Sequence, residues 1–405
     1  MSTQEQRRAV VLEQVVQGRM TAGAAAEVLG LSLRQVRRLV AAYREDGAAA
    51  LRHGNQGRRP AHTLSAAVRQ RVIALVQTTY HDCNPQHLSE LLAEREGLVV
   101  SRSSLRRILL EAGLYHPRGP AAPPHRQRRA RYAQAGMLVQ IDASPHEWLQ
   151  GRGPRLTLVA AIDDATNAIP AALFRLTEDA HGYFLLLEQL VRTQGRPLAL
   201  YHDRHSIFQH NPKRPWSPAE QVAGQQDPTQ FGRLLAELEI ASIAARSPQA
   251  KGRIERLFGT LQTRLVVELR LAGAQTLDDA NTVLAAFLPK YQQRFQVPAA
   301  TAGSAYRPWD LPCRPEEVFC FKYQRVVAAD NIVRLGEHRL QLLPTPQRAS
   351  WARATVEVHE RLDGSLAVYY QGMCLASQPA PNHPWRHRGL FPQGVTKSLD
   401  TEPEG

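Results

Sequence analysis

Apolar residues recur at helical spacing through the first 115 residues, in two similar sets separated by a stretch rich in glycine and arginine. The first set predicts helices over 4–18, 22–29 and 32–45. Thr21 and Ser32 precede the second and third helices as N-caps, and Gly30 makes the turn between them. Two helices joined by a tight glycine turn, with arginines on the second, predict a helix-turn-helix DNA-binding domain over 1–52. An ordinary helical hairpin is the alternative.

The second set predicts three more helices, over 65–79, 85–96 and 101–113. The last of these begins SRSSLRRILLEAG, with a serine cap and arginines at polar positions, so a second helix-turn-helix domain, plain or winged, is predicted over 65–115. Glycine, proline and arginine dominate 53–64 and 116–134. Such segments are too polar to form a core, and we predict that they are basic linkers that follow DNA.

From about residue 135 onward the pattern changes from helices alone to strands alternating with helices. Strands are predicted at 137–142, 155–163, 169–176, 197–203 and 240–245, and helices at 179–194, 228–238 and from about 248. The order is β-β-β-α-β-α-β-α, and the short joints between the first three strands predict an antiparallel meander. The sequence therefore predicts an α/β domain over 135–300.

The last third of the chain begins with a predicted helix at 277–294 and a connector at 301–321. Alternating polar and apolar residues, with turns at LGEH and DGS, then predict a small β-barrel over 322–380. The final segment, 381–405, is rich in proline, histidine and charge and is predicted to be disordered. The fold class is therefore multidomain: all-α at the N-terminus, α/β in the centre and all-β at the C-terminus.

The charge distribution adds a partner to this picture. The chain of 405 residues has a net charge of +13, and residues 1–135 contain 21 Arg, no Lys and 10 Asp or Glu. This excess indicates a polyanion such as double-stranded DNA. No apolar run approaches the ~18 residues of a membrane span and the N-terminus does not resemble a signal peptide, so a soluble cytoplasmic protein without membrane contact is expected. The four cysteines lie far apart, which argues against a zinc site.

Three acidic residues lie where the order of elements can bring them together. Asp142 ends or nearly ends the first strand, Asp203 ends the fourth, and Glu255 lies in the first turns of the last long helix. If the first and fourth strands are neighbours, both aspartates emerge at one edge of the sheet, and a helix packed across it can direct a glutamate at them. Glu268 on the same helix is the alternative third residue, but Glu255 is favoured because it is near the helix start, in the sequence KGRIE.

Carboxylates that converge without counter-charges repel one another, and divalent cations relieve this repulsion. Two Mg²⁺ ions ~3.5–4 Å apart can hold the attacking and leaving oxygens of an in-line phosphoryl displacement. The residues thus predict a two-metal site of Asp142, Asp203 and Glu255, in which Mn²⁺ is expected to substitute. Turn capping is the alternative role for Asp142, and it is the role predicted for Asp163 and Asp164.

Four segments carry a resemblance to a known family: LVQIDASPHEWL, LTLVAAIDDATNAIPAALF, GRPLALYHDRHSIF and SPQAKGRIERLFGTLQTRL. They resemble the DDE transposases and retroviral-type integrases, and more closely the ISNCY group of bacterial insertion-sequence transposases. The resemblance covers about residues 5–300. It implies an RNase H-like core with a mixed five-stranded sheet, with Asp142, Asp203 and Glu255 as the metal-binding triad. It also implies cleavage of a strand at each transposon end, followed by attack of the freed 3′-hydroxyl on target DNA.

The resemblance also implies partners. A transposase that joins two terminal inverted repeats to a target DNA is expected to act as at least a homodimer, in the bacterial cytoplasm and associated with the nucleoid. DNA contacts are expected on the two helix-turn-helix units, the first linker and the start of the last core helix, at Arg34, Gln35, Arg37, Arg38, Arg58, Arg59, Arg102, Arg106, Arg107, Lys251 and Arg253. His146 and His205 lie near the aspartates in sequence, although surface or supporting roles are favoured for them, and Trp148 is expected in the core.

Two other functions are left open by the sequence. A DNA-binding repressor with a catalytically silent core would use the helix-turn-helix units but would have no need of the acidic triad. A ribonuclease or resolvase-type nuclease would use the triad but not two helix-turn-helix units and a β-barrel. The segment 204–228 after Asp203 is longer than a minimal core loop, and whether it covers the site or contacts DNA is open.

Overall fold

The fold is described from a computed structural model, which covers residues 3–51, 64–116, 129–210, 214–245, 251–346 and 348–379. By internal contacts the chain divides into two compact units, Met1–Val72 and Ile73–Gly405. Arg58, Arg59, most of both predicted linkers and the predicted disordered tail lie outside the described residues. The finer domain boundaries proposed from the sequence stay predictions.

Three helices form most of the first unit: α1 Thr3–Val16, α2 Ala22–Leu29 and α3 Leu33–Asp46, followed by a 3-10 turn at Gly47–Leu51. Thr21 and Ser32 cap α2 and α3 as predicted, and Ser32 forms a reciprocal capping box with Gln35. Gly30 ends α2 with φ of 64°, a left-handed conformation that glycine adopts without strain. Buried apolar side chains of all three helices meet in one core. The first predicted helix-turn-helix is confirmed.

Three further helices follow: α4 Ala66–Thr78, α5 Pro85–Glu96 and α6 Arg102–Glu111. The side chain of Asn84 caps α5, and the side chain of Ser101 caps α6 by accepting from the backbone N–H of Ser104. Leu88, Leu92 and Leu105 are fully buried where α5 packs on α6. The helices lie where the sequence predicted them.

A mixed five-stranded sheet lies at the centre of the second unit, with strand order β3-β2-β1-β4-β5. Its strands are β1 Val139–His146, β2 Leu156–Asp163, β3 Ala171–Arg175, β4 Ala199–His202 and β5 Ala241–Ala244. The first three form an antiparallel meander, and β4 and β5 add to β1 in parallel. This is the predicted RNase H-like arrangement, with the first and fourth strands as neighbours.

The helices of this region are α7 Ala180–Gln194, α8 Pro218–Ala223, α9 Gln230–Glu237, α10 Gly252–Leu271 and α11 Leu277–Phe295. One face packs against α7 and α9, and the other against α10 and α11. Because both faces are covered, every residue of β2 is buried. In β1, Val139 and Ile141 point to the α7 side. By alternation, Gln140, Asp142 and Ser144 point to the α10 side.

The first strand is longer than predicted. Its expected end at residue 142 was wrong, because Ser144, Pro145 and His146 continue the antiparallel pairing with β2 as far as Leu156. Polar residues and proline looked like a turn in the sequence, but pairing with a long neighbour keeps them extended. Asp142 therefore lies inside β1 rather than at its end.

The segment 204–228 contains a short helix that the sequence did not predict. In α8, Ser217 and Glu220 form a reciprocal capping box, and Pro218 occupies the first turn. The carboxylate of Glu220 also accepts from the backbone N–H of Asp227. These bonds lower the pKa of Glu220 to about 2, led by the bond from the Ser217 backbone. Among its described residues, this segment therefore has local structure of its own.

The C-terminal region begins with α12 Pro315–Val318 and continues in strands β6 Cys320–Val326, β7 Ile332–Leu335, β8 His338–Gln341, β9 Thr355–Arg361, β10 Leu366–Tyr370 and β11 Met373–Gln378. They form a four-stranded sheet, β11-β10-β9-β6, and a separate hairpin, β7-β8. Side chains from both pack around one core that includes Trp351. The predicted strands are confirmed, but a closed barrel is not: within the described residues the hydrogen-bonded pairing leaves two sheets.

No helix among the described residues is both long and apolar enough to cross a membrane.

Candidate active site

The register between β1 and β4 brings the two predicted aspartates together. Val139 pairs with Leu200 and Gln140 with Tyr201 in parallel. Two residues beyond the last pair stand Asp142, inside β1, and Asp203, just past the end of β4, so continuation of the register sets them side by side. The pairing of β4 with β1 stops at Tyr201 and β4 ends at His202, so this edge of β1 is unpaired beside Asp142. The loop after β4 is fixed by a bond from the backbone N–H of His205 to Asp203 Oδ1, at 2.8 Å.

A lysine lies between the two aspartates. Lys251 Nζ is 2.8 Å from Asp142 Oδ1 and 3.6 Å from Asp203 Oδ2. Lys251 is the residue before α10 and is only 8% exposed. The sequence predicted Lys251 as a DNA contact and did not predict this position, because no local pattern relates residue 251 to residue 142.

The electrostatics of the pair depend on burial. Burial raises the pKa of Asp142 above its ordinary value, and the negative charge of Asp203 adds to this effect. The hydrogen bond and positive charge of Lys251 act in the opposite direction but offset only part of the rise. A cation beside Asp142 therefore favours the charged form of this carboxylate, which burial disfavours.

Glu255 is placed by its position on α10. Residues 251, 255 and 262 lie along one stripe of the helix, since they are spaced by four and seven. Lys251, at one end of the stripe, contacts Asp142, and Gln262, at the other, donates to Ser144 Oγ at 3.1 Å. Both Asp142 and Ser144 point to the α10 side of β1. Glu255 lies on α10 between the two residues that contact them.

The carboxylate of Glu255 is not joined to the aspartates here. Its side chain is exposed, and no hydrogen bond or ion pair involves it among the described residues. Across the same part of the chain, no group of three or more His, Cys, Asp or Glu side chains is close enough to hold a metal ion. The structure thus brings together Asp142, Asp203 and Lys251, and leaves Glu255 on the adjoining helix face.

Glu268, the alternative third residue, has structural partners. Its carboxylate is 2.8 Å from Arg95 Nη2 and 3.5 Å from His87 Nε2. Burial raises the pKa of Glu268, but the hydrogen bond from His87 and the charge of Arg95 outweigh it, so that the pKa is lowered overall. These contacts join α10 to α5 and point away from the two aspartates.

The turn role predicted for Asp163 is confirmed, but the one predicted for Asp164 is wrong, because the Asp164 carboxylate has distant partners instead. Asp163 Oδ1 accepts from the backbone N–H of Thr166 at 2.9 Å, closing the turn after β2. Asp164 is fully buried and pairs with Arg129 and with Arg253, whose Nε lies 2.7 Å from Oδ1. The guanidinium of Arg253, predicted as a phosphate contact, is thus held in an ion pair and is 11% exposed. Its DNA contact stays a prediction.

Other polar residues support the site without having been predicted. Gln140 Oε1 accepts from the backbone N–H of Ile254 at 3.4 Å, which ties β1 to the start of α10. His202 is buried, stacks on Phe208 and bonds Ser242 Oγ at 2.8 Å. A polar residue two positions before Asp142, within an otherwise apolar strand, was the available signal for Gln140.

The remaining predicted residues near the site have local roles. Trp148 is buried, as expected, and its indole N–H donates to the carbonyl oxygen of Ser144 at 3.1 Å. His146 packs edge-on against the Trp148 ring, at 5.3 Å between centroids. His205 is exposed and acts on Asp203 through its backbone.

The candidate DNA contacts predicted on α3 and α6 are exposed. On α3 these are Arg34, Gln35, Arg37 and Arg38, and on α6 they are Arg102, Arg106 and Arg107. The side chain of Gln35 already forms one hydrogen bond within the protein, since its Oε1 accepts from the backbone N–H of Ser32 in the capping box. Contact of these side chains with DNA stays a prediction.

Comparison with known proteins agrees with this architecture. A family model described as a homeodomain-like domain matches residues 35–109, and one described as a helix-turn-helix domain matches residues 6–61. Helix-turn-helix units joined to a mixed α/β core define a DNA-binding protein with a second, larger functional domain.

Two similar proteins identify the family. The chain is 39% identical over 376 residues to the "Putative transposase y4bF" of Sinorhizobium fredii, covering 93% of this chain and 80% of that protein. It is 33% identical over 328 residues to the transposase for insertion sequence IS1202 of Streptococcus pneumoniae, covering 72% and 68% respectively. The chain belongs to the insertion-sequence transposases, which confirms the resemblance seen in the sequence.

Solved structures similar to this chain include retroviral integrases. The catalytic core domain of the HTLV-2 integrase, in complex with magnesium in a trimeric form, aligns with 16% identity and a TM-score of 0.30, covering 42% of this chain and 96% of that one. A simian T-cell lymphotropic virus intasome in complex with a PP2A regulatory subunit aligns with 15% identity and a TM-score of 0.32, covering 71% and 91%. The family assignment rests on the two sequence relatives.

Proposed function

We propose that this transposase binds the terminal inverted repeats of an insertion sequence and catalyses Mg²⁺-dependent cleavage of each end, followed by transfer of the freed 3′ end into target DNA. The observation that carries the proposal is the meeting of Asp142 and Asp203 around a single positive charge. In a transposase, a pair of carboxylates at a strand edge is suited to hold the cations of phosphoryl transfer.

The residues present fit a divalent metal ion. The ammonium of Lys251 stands between the aspartates, in the kind of position that a bound cation would take. The donors are carboxylate oxygens, which Mg²⁺ and Mn²⁺ both accept. Glu255, exposed on the same stripe of α10, is free of other partners in the described chain and would complete the ligand set. When bound, two Mg²⁺ ions would supply charge that activates the attacking oxygen and stabilises the leaving oxygen.

The proposed reaction conserves phosphodiester bonds in its second step. In the first step, water attacks phosphorus at the transposon end and the P–O3′ bond breaks, leaving a 3′-hydroxyl and a 5′-phosphate. In the second, that 3′-hydroxyl attacks a target phosphorus, and the target 3′ oxygen leaves with a proton. One phosphodiester bond forms as one breaks, so no further energy source is needed.

DNA binding and assembly complete the proposal. The exposed arginines of α3 and α6 would bind the terminal repeats, Arg58 and Arg59 would follow the backbone, and Lys251 and Arg253 would approach phosphates at the site. Because two ends must be joined to one target, the active form would be at least a homodimer. A DNA-bound protein of this kind would be found with the nucleoid in the bacterial cytoplasm.

Strand cleavage tests the proposal directly. A labelled duplex that carries the two terminal inverted repeats flanking the gene is incubated with the full-length protein in Mg²⁺, Mn²⁺ or EDTA. We expect nicking at a fixed position that requires a divalent ion and is lost in Asp203→Asn. Asp227→Asn is the matched control, since Asp227 is an exposed aspartate of the same core.

The runner-up function is a repressor with a silent catalytic core. Tight binding of the ends by a folded protein, without cleavage in Mg²⁺ or Mn²⁺, would favour this function and overturn the proposed one. Cleavage retained in Asp203→Asn would remove the acidic pair from the mechanism.

A further inference from the structure

Lys251 occupies an unusual place for a lysine. The side chain is almost fully buried, whereas lysine is rarely buried without a partner. Its ion pairs are those with Asp142 and Asp203, 109 and 48 residues away along the chain. One ammonium therefore neutralises part of a two-carboxylate site.

Helix stability does not explain this position. Lys251 is the N-cap of α10, and its side chain makes no capping hydrogen bond. A positive charge at a helix N-terminus is disfavoured by the helix dipole, and serine, threonine, asparagine and aspartate are the residues that cap well. Lysine thus weakens the start of α10, and its gain comes from the two aspartates.

The repulsion between the carboxylates of Asp142 and Asp203 explains why a lysine is buried between them. Two carboxylates at a partly buried strand edge destabilise the folded protein when no cation is present. A metal ion removes the repulsion only once it has bound. Before then, the charge has to come from the protein itself, and the ammonium of Lys251 is the group placed to provide it.

We propose that Lys251 is an internal counter-cation, which occupies the cation position between Asp142 and Asp203 until divalent ions enter and displace it. Lys251 is thereby a positioning residue: it holds the two carboxylates in register and competes with the metal. Once displaced, the ammonium remains one helical turn from Glu255, where it can meet a DNA phosphate. This inference rests on the proposed metal-dependent function of the site.

Metal affinity without DNA tests the competition. Free Mn²⁺ is measured by electron paramagnetic resonance during titration of full-length wild type, Lys251→Met and Lys251→Arg at pH 8. Loss of a competing charge at this distance should tighten Mn²⁺ binding by roughly tenfold in Lys251→Met. Lys251→Arg, which keeps the charge, should stay closer to wild type. Arg256→Met removes an exposed charge from the same helix and should change the affinity much less.

Thermal unfolding in EDTA provides a second readout. The Lys251→Met variant should unfold at a lower temperature than wild type in EDTA, because the carboxylates are then unpaired, and it should gain more stability from Mn²⁺. Lys251→Gln keeps a hydrogen-bond donor without the charge, and supplies the same comparison should methionine prevent folding. A lysine that only contacts DNA would alter neither measurement. Unchanged or weaker Mn²⁺ binding in both neutral variants would therefore overturn the inference.

The outcomes also separate the inference from the function beneath it. A double variant that carries both Asp142→Asn and Asp203→Asn lacks the two carboxylates. If wild type binds Mn²⁺ no better than this double variant, the proposed metal site itself is wrong. If wild type binds Mn²⁺ and the neutral Lys251 variants match it, the metal site stands and only the role of Lys251 fails.

Discussion

At the scale of single residues, two glutamates on one helix have opposite surroundings. Glu255 is exposed on the stripe that starts at Lys251, and Glu268 is buried between His87 and Arg95. The sequence favoured Glu255 because it lies near the helix start. It could not reveal the partners of Glu268, since Arg95 lies 173 residues away and the contact depends on how α5 packs.

These surroundings predict opposite effects of two matched substitutions. Glu255→Gln should lower strand cleavage by roughly two to three orders of magnitude, because a ligand of the proposed cations is lost, while leaving the unfolding temperature near that of wild type. Glu268→Gln should lower the unfolding temperature and retain cleavage per folded molecule, because its charge stabilises a contact between helices. Cleavage assays and thermal melts of both variants check this. A catalytic defect in Glu268→Gln with unchanged stability would exchange the two assignments.

At the scale of elements, local patterns predicted most of the fold. The helices and the order of the core strands followed from apolar period and capping residues, as at Ser32 and Ser101. What failed depends on distant partners: β1 extends to His146 because β2 pairs with it. Whether the C-terminal strands close into a barrel also depends on which distant strands pair. The local alternation of polar and apolar residues predicts the strands but not this pairing. The position of Lys251 was missed for the same reason.

The contact between α5 and the two helices α10 and α11 is also long-range and strongly ionic. Glu90 of α5 lies 2.5 Å from Arg264 and 2.6 Å from Arg294, and Asp82 lies 2.5 Å from Arg270. These ion pairs are partly buried, so solvent and salt screen their attraction less than they screen that of surface pairs. They fix α5 and the residues just before it against α10 and α11 of the α/β core, within the Ile73–Gly405 unit.

Loss of Glu90 should therefore destabilise the protein. Glu90→Gln leaves Arg264 and Arg294 without their shared carboxylate, and we expect the free energy of unfolding to fall by roughly 1–3 kcal/mol. This is less than the ~3–5 kcal/mol of a fully buried pair, because Arg294 is a third exposed. Glu147→Gln is the control, since Glu147 and its partner Arg155 are both largely exposed and such pairs contribute ~0–1 kcal/mol. Equal losses in urea unfolding would show that the α5 contact adds nothing.

The same contact predicts how stability depends on pH. Burial raises the pKa values of Asp82, Glu90 and Glu268, but hydrogen bonds and charges from their basic partners outweigh it and lower all three. A lowered carboxyl pKa stabilises the folded state above the ordinary value of ~4, and this contribution is lost as pH falls through the lowered pKa. Urea unfolding between pH 3 and 7 should show a smaller acid-induced loss in Glu90→Gln than in wild type. Parallel curves would place the acid sensitivity elsewhere.

At the scale of the whole molecule, charge and chemistry are separated along the chain. The helical N-terminal third carries most of the net positive charge, with 21 Arg against 10 Asp or Glu in residues 1–135, and the acidic site lies in the α/β core. Phosphate binding depends on the number of neutralised charges, whereas cleavage depends on the geometry of a few carboxylates. Variants in the first region should therefore alter affinity for the ends without removing the catalytic step.

The salt dependence of binding makes this separation measurable. Arg34→Ala and Arg38→Ala remove exposed charges from α3, and each should weaken binding to terminal-repeat DNA. If each arginine neutralises one phosphate, the slope of log affinity against log salt should decrease by ~0.9 per substitution. Nicking in Mg²⁺ should persist when protein concentration is raised to restore binding. Arg192→Ala is the control, because Arg192 lies on α7 and pairs with Glu188. An unchanged slope in gel-shift titrations would mean that α3 does not contact the phosphates. Nicking that cannot be restored at high protein concentration would mean that α3 also positions the DNA end for cleavage.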